Sequence, residues 1–119
     1  MTPDELKDRT KAFAVRIVTL TEALPRSKAA QHIGGQLLHS GTAVGSNYRA
    51  ACRARSHAEF LSKLAIVVEE SDESVYWLDV LAESRLVKPG RLGGLQKEAN
   101  ELLAIFSAAR KTARAPEKG

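Results

Sequence analysis

The chain has 119 residues, 44% of them hydrophobic and 27% charged, with a net charge of +4. That is enough for one domain around one core, and too apolar for a disordered chain. No apolar run approaches the roughly 18 residues that cross a bilayer, so no membrane partner is expected. The start, Met1-Thr2-Pro3-Asp4-Glu5, is acidic where a secretory leader would be basic. A single cysteine, Cys52, excludes an internal disulfide, and together these features predict a cytoplasmic protein. Aromatic residues are only 5%, while Ala and Leu dominate the apolar set, which favours helices over a β-sandwich.

The first helix is announced by Thr2-Pro3-Asp4-Glu5: an N-cap Thr, Pro in the first turn and Glu three residues after the cap. Leu6, Phe13, Ile17, Leu20 and Leu24 recur on one face, and Pro25 stops the helix. Val15 and Val18 fall off that face.

The second helix is predicted from Ser27 to about Ala54. Its core face reads Ile33, Leu37, Ser40, Val44, Asn47 and Ala51, and a second face reads Gly34, Gly41, Gly45 and Cys52, all small. Counting Gly35, four glycines lie inside it, each costing about 1 kcal/mol relative to Ala. Close backbone packing along the small face would offset that cost, so one continuous helix is expected rather than a break at Gly34-Gly35. Cys52 then reads as a packed thiol.

Ser56-His57-Ala58-Glu59 is a second capping box and opens the third helix, with Leu64, Val67, Ser71, Val75, Leu78 and Ala82 as its core stripe. Ile66 and Trp77 lie three turns apart on the opposite side, with Glu70 and Glu73 between them. That alignment predicts a subunit contact anchored by Trp77. Pro89-Gly90 separates a fourth helix, from about Arg91, whose inward residues are Leu92, Leu95, Ala99, Leu102, Phe106 and Ala109. The predicted architecture is an all-α, antiparallel up-down-up-down four-helix bundle over residues 1–115, followed by a flexible tail at 116–119.

Catalytic and metal chemistry find no footing. A di-iron bundle needs Glu-x-x-His on two helices, and no Glu here is followed by His at the third position. His32 and His39 have no third ligand beside them. Ser40 follows His39 directly, so the two point about 100° apart on a helix. No Gly-Lys-Ser/Thr completes a phosphate loop. The chain therefore reads as a non-enzyme without cofactor. What remains is a polar set at core positions, Gln36, Ser40, Asn47 and Ser71, expected to form a satisfied network in which Asn47 bonds across to the third helix or to backbone.

The charge is unevenly spread. Between Glu22 and Glu59 there is no acid, while Arg26, Lys28, Arg49, Arg53 and Arg55 give that stretch +5. From Glu59 to Glu83 seven acids face Lys63 alone, a balance of −6. Either the basic stretch faces nucleic acid, or the two stretches complement each other within the chain or between copies.

The segment Gln36-Leu37-Leu38-His39-Ser40-Gly41-Thr42-Ala43-Val44-Gly45-Ser46-Asn47-Tyr48-Arg49 resembles the signature of a bacterial four-helix-bundle family. That family includes proteins encoded by intervening sequences in 23S ribosomal RNA genes and accessory variability proteins of diversity-generating retroelements. Ser56, Glu59-Phe60 and Lys63-Leu64, followed by Glu70, Glu73 and Tyr76-Trp77-Leu78, form a second similar block, and the likeness runs from about Phe13 to Leu86. Three positions depart from the pattern: His39 stands for an Arg, Ala43 for a Ser and Ala50 for a Glu. The resemblance implies a homo-oligomer, a barrel-like pentamer in relatives. In the retroelement branch it also implies nucleic acid and a reverse transcriptase as partners.

On that expectation Arg49 and Arg53, one turn apart, with Arg55 in the following loop, form one phosphate-attracting cluster. Arg26 and Lys28 form another about 35 Å away along the second helix. Arg110, Lys111 and Arg114 could add to a basic rim. No aromatic residues interleave with these charges, so binding of RNA or DNA should be sequence-tolerant and sensitive to salt. The competing expectation is a protein-interaction scaffold in which basic and acidic helices of neighbouring copies meet.

Overall fold

The computed structural model describes residues 1–116; the last three residues of the expected tail lie outside it. Helix α1 spans Pro3–Glu22. Its cap is reciprocal: Thr2 Oγ1 accepts from the Glu5 amide and Glu5 Oε1 accepts from the Thr2 amide, both at 3.2 Å. That bond to the Thr2 amide also holds the Glu5 carboxyl below its ordinary range. The chain leaves α1 at Ala23, and Ser27 then caps α2.

Helix α2, Lys28–Cys52, runs unbroken through Gly34-Gly35. Two of its glycines, Gly41 and Gly45, press against α1, and Gly34 presses against Leu24 in the turn between the two helices. A Cβ on Gly34 would stand 2.8 Å from Leu24 Cδ1, one on Gly41 2.7 Å from Ile17 Cγ1, and one on Gly45 3.0 Å from Thr10 Oγ1. The helix-propensity cost of these residues is thus offset by dispersion contacts that any side chain would forbid. Gly35 meets nothing. Cys52, expected on this packed seam, is exposed, because the seam ends two turns earlier at Gly45 and Cys52 is the last residue of the helix.

Helix α3, His57–Glu83, starts at a Ser56 cap whose Oγ accepts from the Glu59 amide at 3.0 Å. The box is one-sided, since Glu59 Oε2 reaches the Arg55 amide instead. The helix packs on α2 and on α4, so its buried face is wider than one stripe. Ser74 and Leu81 join Leu64, Val67, Ser71 and Leu78 in the interior, while Val75 and Ala82 are only half-buried. Arg85, at a φ of 59°, turns the chain out of α3. A short 3-10 turn at Pro89–Arg91 leads into α4, Gly93–Arg114, two residues later than expected. Leu92, Leu95, Ala99, Leu102 and Phe106 are buried as the periodicity predicts. Ala109 is exposed, although Ala113 one turn further along α4 still packs against the core.

Each helix packs on its successor, and α1 also touches α4, giving a four-helix rod about 55 × 22 × 20 Å. The α1–α4 seam carries a polar clamp. Arg9 donates from Nε to Glu98 Oε2 (2.8 Å) and from Nη2 to Glu98 Oε1 (2.6 Å), and Nη2 also meets Glu101 Oε2 at 2.7 Å.

The polar interior differs from the expected network. Ser40 and Ser74 are fully buried, and Ser74 Oγ lies 3.2 Å from Ser40 Oγ across the α2–α3 seam. Ser71 donates to the Val67 carbonyl of its own helix. Asn47 takes the backbone option, donating to the Ala43 carbonyl at 2.9 Å rather than to α3. Gln36 is exposed, since it points about 100° away from its core neighbour Leu37.

Candidate nucleic-acid interface

The antiparallel order brings the start of α1, the end of α2, the start of α3 and the end of α4 to one end of the rod. Two contacts fix this. Tyr48 of α2 packs on Phe106 of α4 with ring centroids 5.1 Å apart, and His57 Nε2 lies 2.9 Å from the Ala113 carbonyl. Burial raises the Tyr48 pKa, so its phenol stays protonated.

Arg49, Arg53 and Arg55 are all exposed at this end, and among the described residues Arg55 has an acidic neighbour, Glu59, at 3.8 Å. Lys111 and Arg114 are exposed on the last turns of α4, with Arg110 half-buried beside them. Two of the three basic clusters read from sequence therefore share an end. The third, Arg26 and Lys28, sits exposed at the opposite end, at the turn into α2.

Two cations escaped the sequence reading. Lys7 and Lys11, one turn apart on α1, line a hollow of about 350 Å³ together with Arg49 of α2. Thr42, Gly45 and Ser46 supply the α2 wall, and Thr10 and Ala14 complete the α1 wall. The signal was present as an i, i+4 lysine pair, but only the closeness of α1 and α2 at Gly45 aims it at Arg49.

The residues of the expected subunit contact are unequally exposed in the single chain. Ile66, Glu70 and Trp77 are half-buried within the single chain, and Glu73 is exposed. The Trp77 indole packs against the core and meets His32 edge-on at 6.1 Å and Tyr76 at 4.9 Å. It is covered because α3 leans its flank on α2, so the exposed aromatic group is Tyr76, at 59%. Val15 and Val18 are exposed, as their off-face positions predicted, and so is Leu38. Glu70 has one carboxylate oxygen, Oε2, buried without a hydrogen-bond partner, and burial raises its pKa. Among the described residues no cluster of three or more His, Cys, Asp or Glu side chains could hold a metal, and no helix is long and apolar enough to cross a membrane.

Comparison with known families gives one decisive match. The model of the 23S rRNA-intervening sequence protein family matches residues 5–108. The chain belongs to this family. Among solved structures it is similar to a protein of unknown function from the S23 ribosomal protein family of Bacteroides thetaiotaomicron. The two are 32% identical, the match covers 93% of this chain and 99% of that one, and the TM-score is 0.85. No curated protein matches the chain. Family membership accounts for the bundle and its helix order. The family takes its name from an RNA gene element, not from an activity.

Proposed function

We propose that this member of the 23S rRNA-intervening sequence protein family is a non-enzymatic, homo-oligomeric accessory protein that holds RNA or DNA by its phosphate backbone without reading sequence. The reading rests on one observation: cations far apart in sequence, Arg49, Arg53 and Arg55 with Arg110, Lys111 and Arg114, gather at one end of the rod, where they outnumber the acids Asp4, Glu5, Asp8 and Glu59 of the first turns of α1 and α3. Repeated around a ring, a pentamer by the family resemblance, that end would form a continuous basic rim, with Arg26 and Lys28 contributing a second one opposite. Among the described residues no exposed Phe, Tyr or Trp stands with these cations for base stacking, so affinity comes from charge and falls steeply with salt. A reverse transcriptase is the protein partner that the retroelement branch suggests.

The exposed acids Glu69, Asp72 and Glu73 of α3 favour a second reading, an interaction scaffold in which they meet the basic helix of a neighbouring copy. Retention of single-stranded RNA and duplex DNA at 50 and 200 mM salt (roughly the range over which such binding collapses), alongside sedimentation, separates the two. For the double variant Arg49→Glu with Arg53→Glu, the first reading expects intact assembly and lost retention. Lost assembly favours the scaffold, and no retention by the unaltered chain at low salt overturns the first reading.

A further inference from the structure

The hollow between α1 and α2 has the makings of an anion site rather than a chance groove. Three cations from two helices, Lys7, Lys11 and Arg49, line it, and no carboxylate does. Lys7 meets Asp4 at 3.8 Å, but Asp4 is almost wholly in solvent, a pairing that yields to a better anion at little cost. Its volume of about 350 Å³ is many times the roughly 30 Å³ share of one water, room for a phosphate group with part of its hydration shell.

The walls are polar in a way that suits such a group. Thr42 Oγ1 donates to the Leu38 carbonyl at 2.6 Å and Ser46 Oγ to the Ala43 carbonyl at 3.2 Å. Carbonyls inside a helix already accept a backbone N–H, so each hydroxyl can rotate its proton toward an anion without orphaning a buried group. Gly45 fixes the depth. With no Cβ it lets α2 approach Thr10 of α1, which brings the lysine pair and Arg49 onto the same hollow.

We propose that this hollow is a phosphate-binding site, in which Lys7, Lys11 and Arg49 neutralise the anion and Thr42 and Ser46 donate to its oxygens. The phosphate is that of a nucleic-acid backbone or of a small phosphorylated compound; in its nucleic-acid form the site rests on the function proposed above. It adds two residues of α1 to that interface and places a contact along the side of the rod, not only at its end.

The test uses the whole chain, labelled with nitrogen-15 and titrated with inorganic phosphate against sodium chloride of equal ionic strength. Saturable amide shifts at Lys11, Thr42, Gly45 and Ser46 with phosphate alone are expected. They should vanish in Lys11→Gln with Arg49→Gln and persist in the charge-matched control Lys88→Gln with Lys97→Gln; all four positions are exposed, so neither pair should disturb folding. If the site serves nucleic acid, the first pair also flattens the salt dependence of single-stranded RNA binding by about 0.7 in log–log slope per lost contact. Phosphate binding without RNA retention supports the site, assigns it to a small compound and removes the proposed function. RNA binding by the unaltered chain with no phosphate shifts, and an unchanged slope in the variant, overturns the site and leaves the proposed function standing.

Discussion

Gly41 lies so close to Ile17 that a Cβ on it would fall 2.7 Å from one branch of that side chain and 2.9 Å from the other. Ile17 is fully buried and branched, so it cannot swing aside. Gly41→Ala should therefore lower stability by about 1–2 kcal/mol, the overpacking cost exceeding the helix-propensity gain. Gly35→Ala, on the same helix but facing open space, should raise it by about 1 kcal/mol. Thermal unfolding of the two variants gives the comparison, with opposite shifts of about 4 °C or more expected. Equal shifts of one sign would mean the glycine seam is not what joins α1 to α2.

That seam was legible in the sequence because three of the four glycines recur at helical spacing, and a face without side chains has one structural use. Most of the buried faces of α1, α2 and α4 followed from period and punctuation in the same way, whereas that of α3 is wider than its single stripe. The candidate site was legible only in part. Arg49 and Arg53 stood out because they are neighbours on one helix, whereas Lys7 and Lys11 join them through α1–α2 packing that no local pattern records. The half-burial of Trp77 within the subunit was not legible for a related reason: a helical wheel gives direction from one axis, and α3 is flanked by two helices. Ser74 was passed over because a serine between Val75 and Glu73 carries no apolar signal, yet it makes a buried polar contact with Ser40 across the α2–α3 seam.

The Arg9 clamp should matter because α1 and α4 touch less extensively than the other neighbouring helices. Arg9→Ala should cost about 1–2 kcal/mol, and Arg9→Lys should recover only part of it, since an ammonium cannot span both oxygens of Glu98. The Arg9 guanidinium holds the Glu98 carboxyl below its ordinary range. A carboxyl depressed in the folded state contributes stability that is present above its unfolded value and lost as the pH falls through the folded one. Denaturation curves for the unaltered chain and Arg9→Ala should thus lie apart at neutral pH and converge in acid.

Glu70 carries the opposite sign. Burial pushes its pKa up, with Glu73 and Glu69 on α3 adding to the rise and His39 on α2 opposing it. For a carboxyl raised in the folded state, stability is greatest below the unfolded value and declines as the pH climbs through the folded one. Glu70→Gln removes a charge whose Oε2 has no partner, so it should raise the melting temperature at pH 7 and leave it unchanged in acid. A loss of stability at neutral pH would show that the carboxylate is satisfied in solution, for instance across a contact between copies.

Tyr76 and Trp77 are adjacent in sequence but differ in what covers them, and this separates folding from assembly. Trp77 packs on the core and against His32, so Trp77→Ala should destabilise the subunit itself by about 3 kcal/mol or more, whatever its oligomeric state. Tyr76 is 59% exposed, and its ring rests edge-on against Trp77 with a broad face in solvent. If copies join along α3, Tyr76→Ala should leave helix content intact and weaken self-association, because an exposed aromatic beside a half-buried one is the kind of group that becomes a contact centre. Sedimentation at two concentrations, paired with thermal unfolding, reads both quantities. An oligomer unchanged by Tyr76→Ala would move the contact to the other exposed apolar face, where Val15 and Val18 stand on α1.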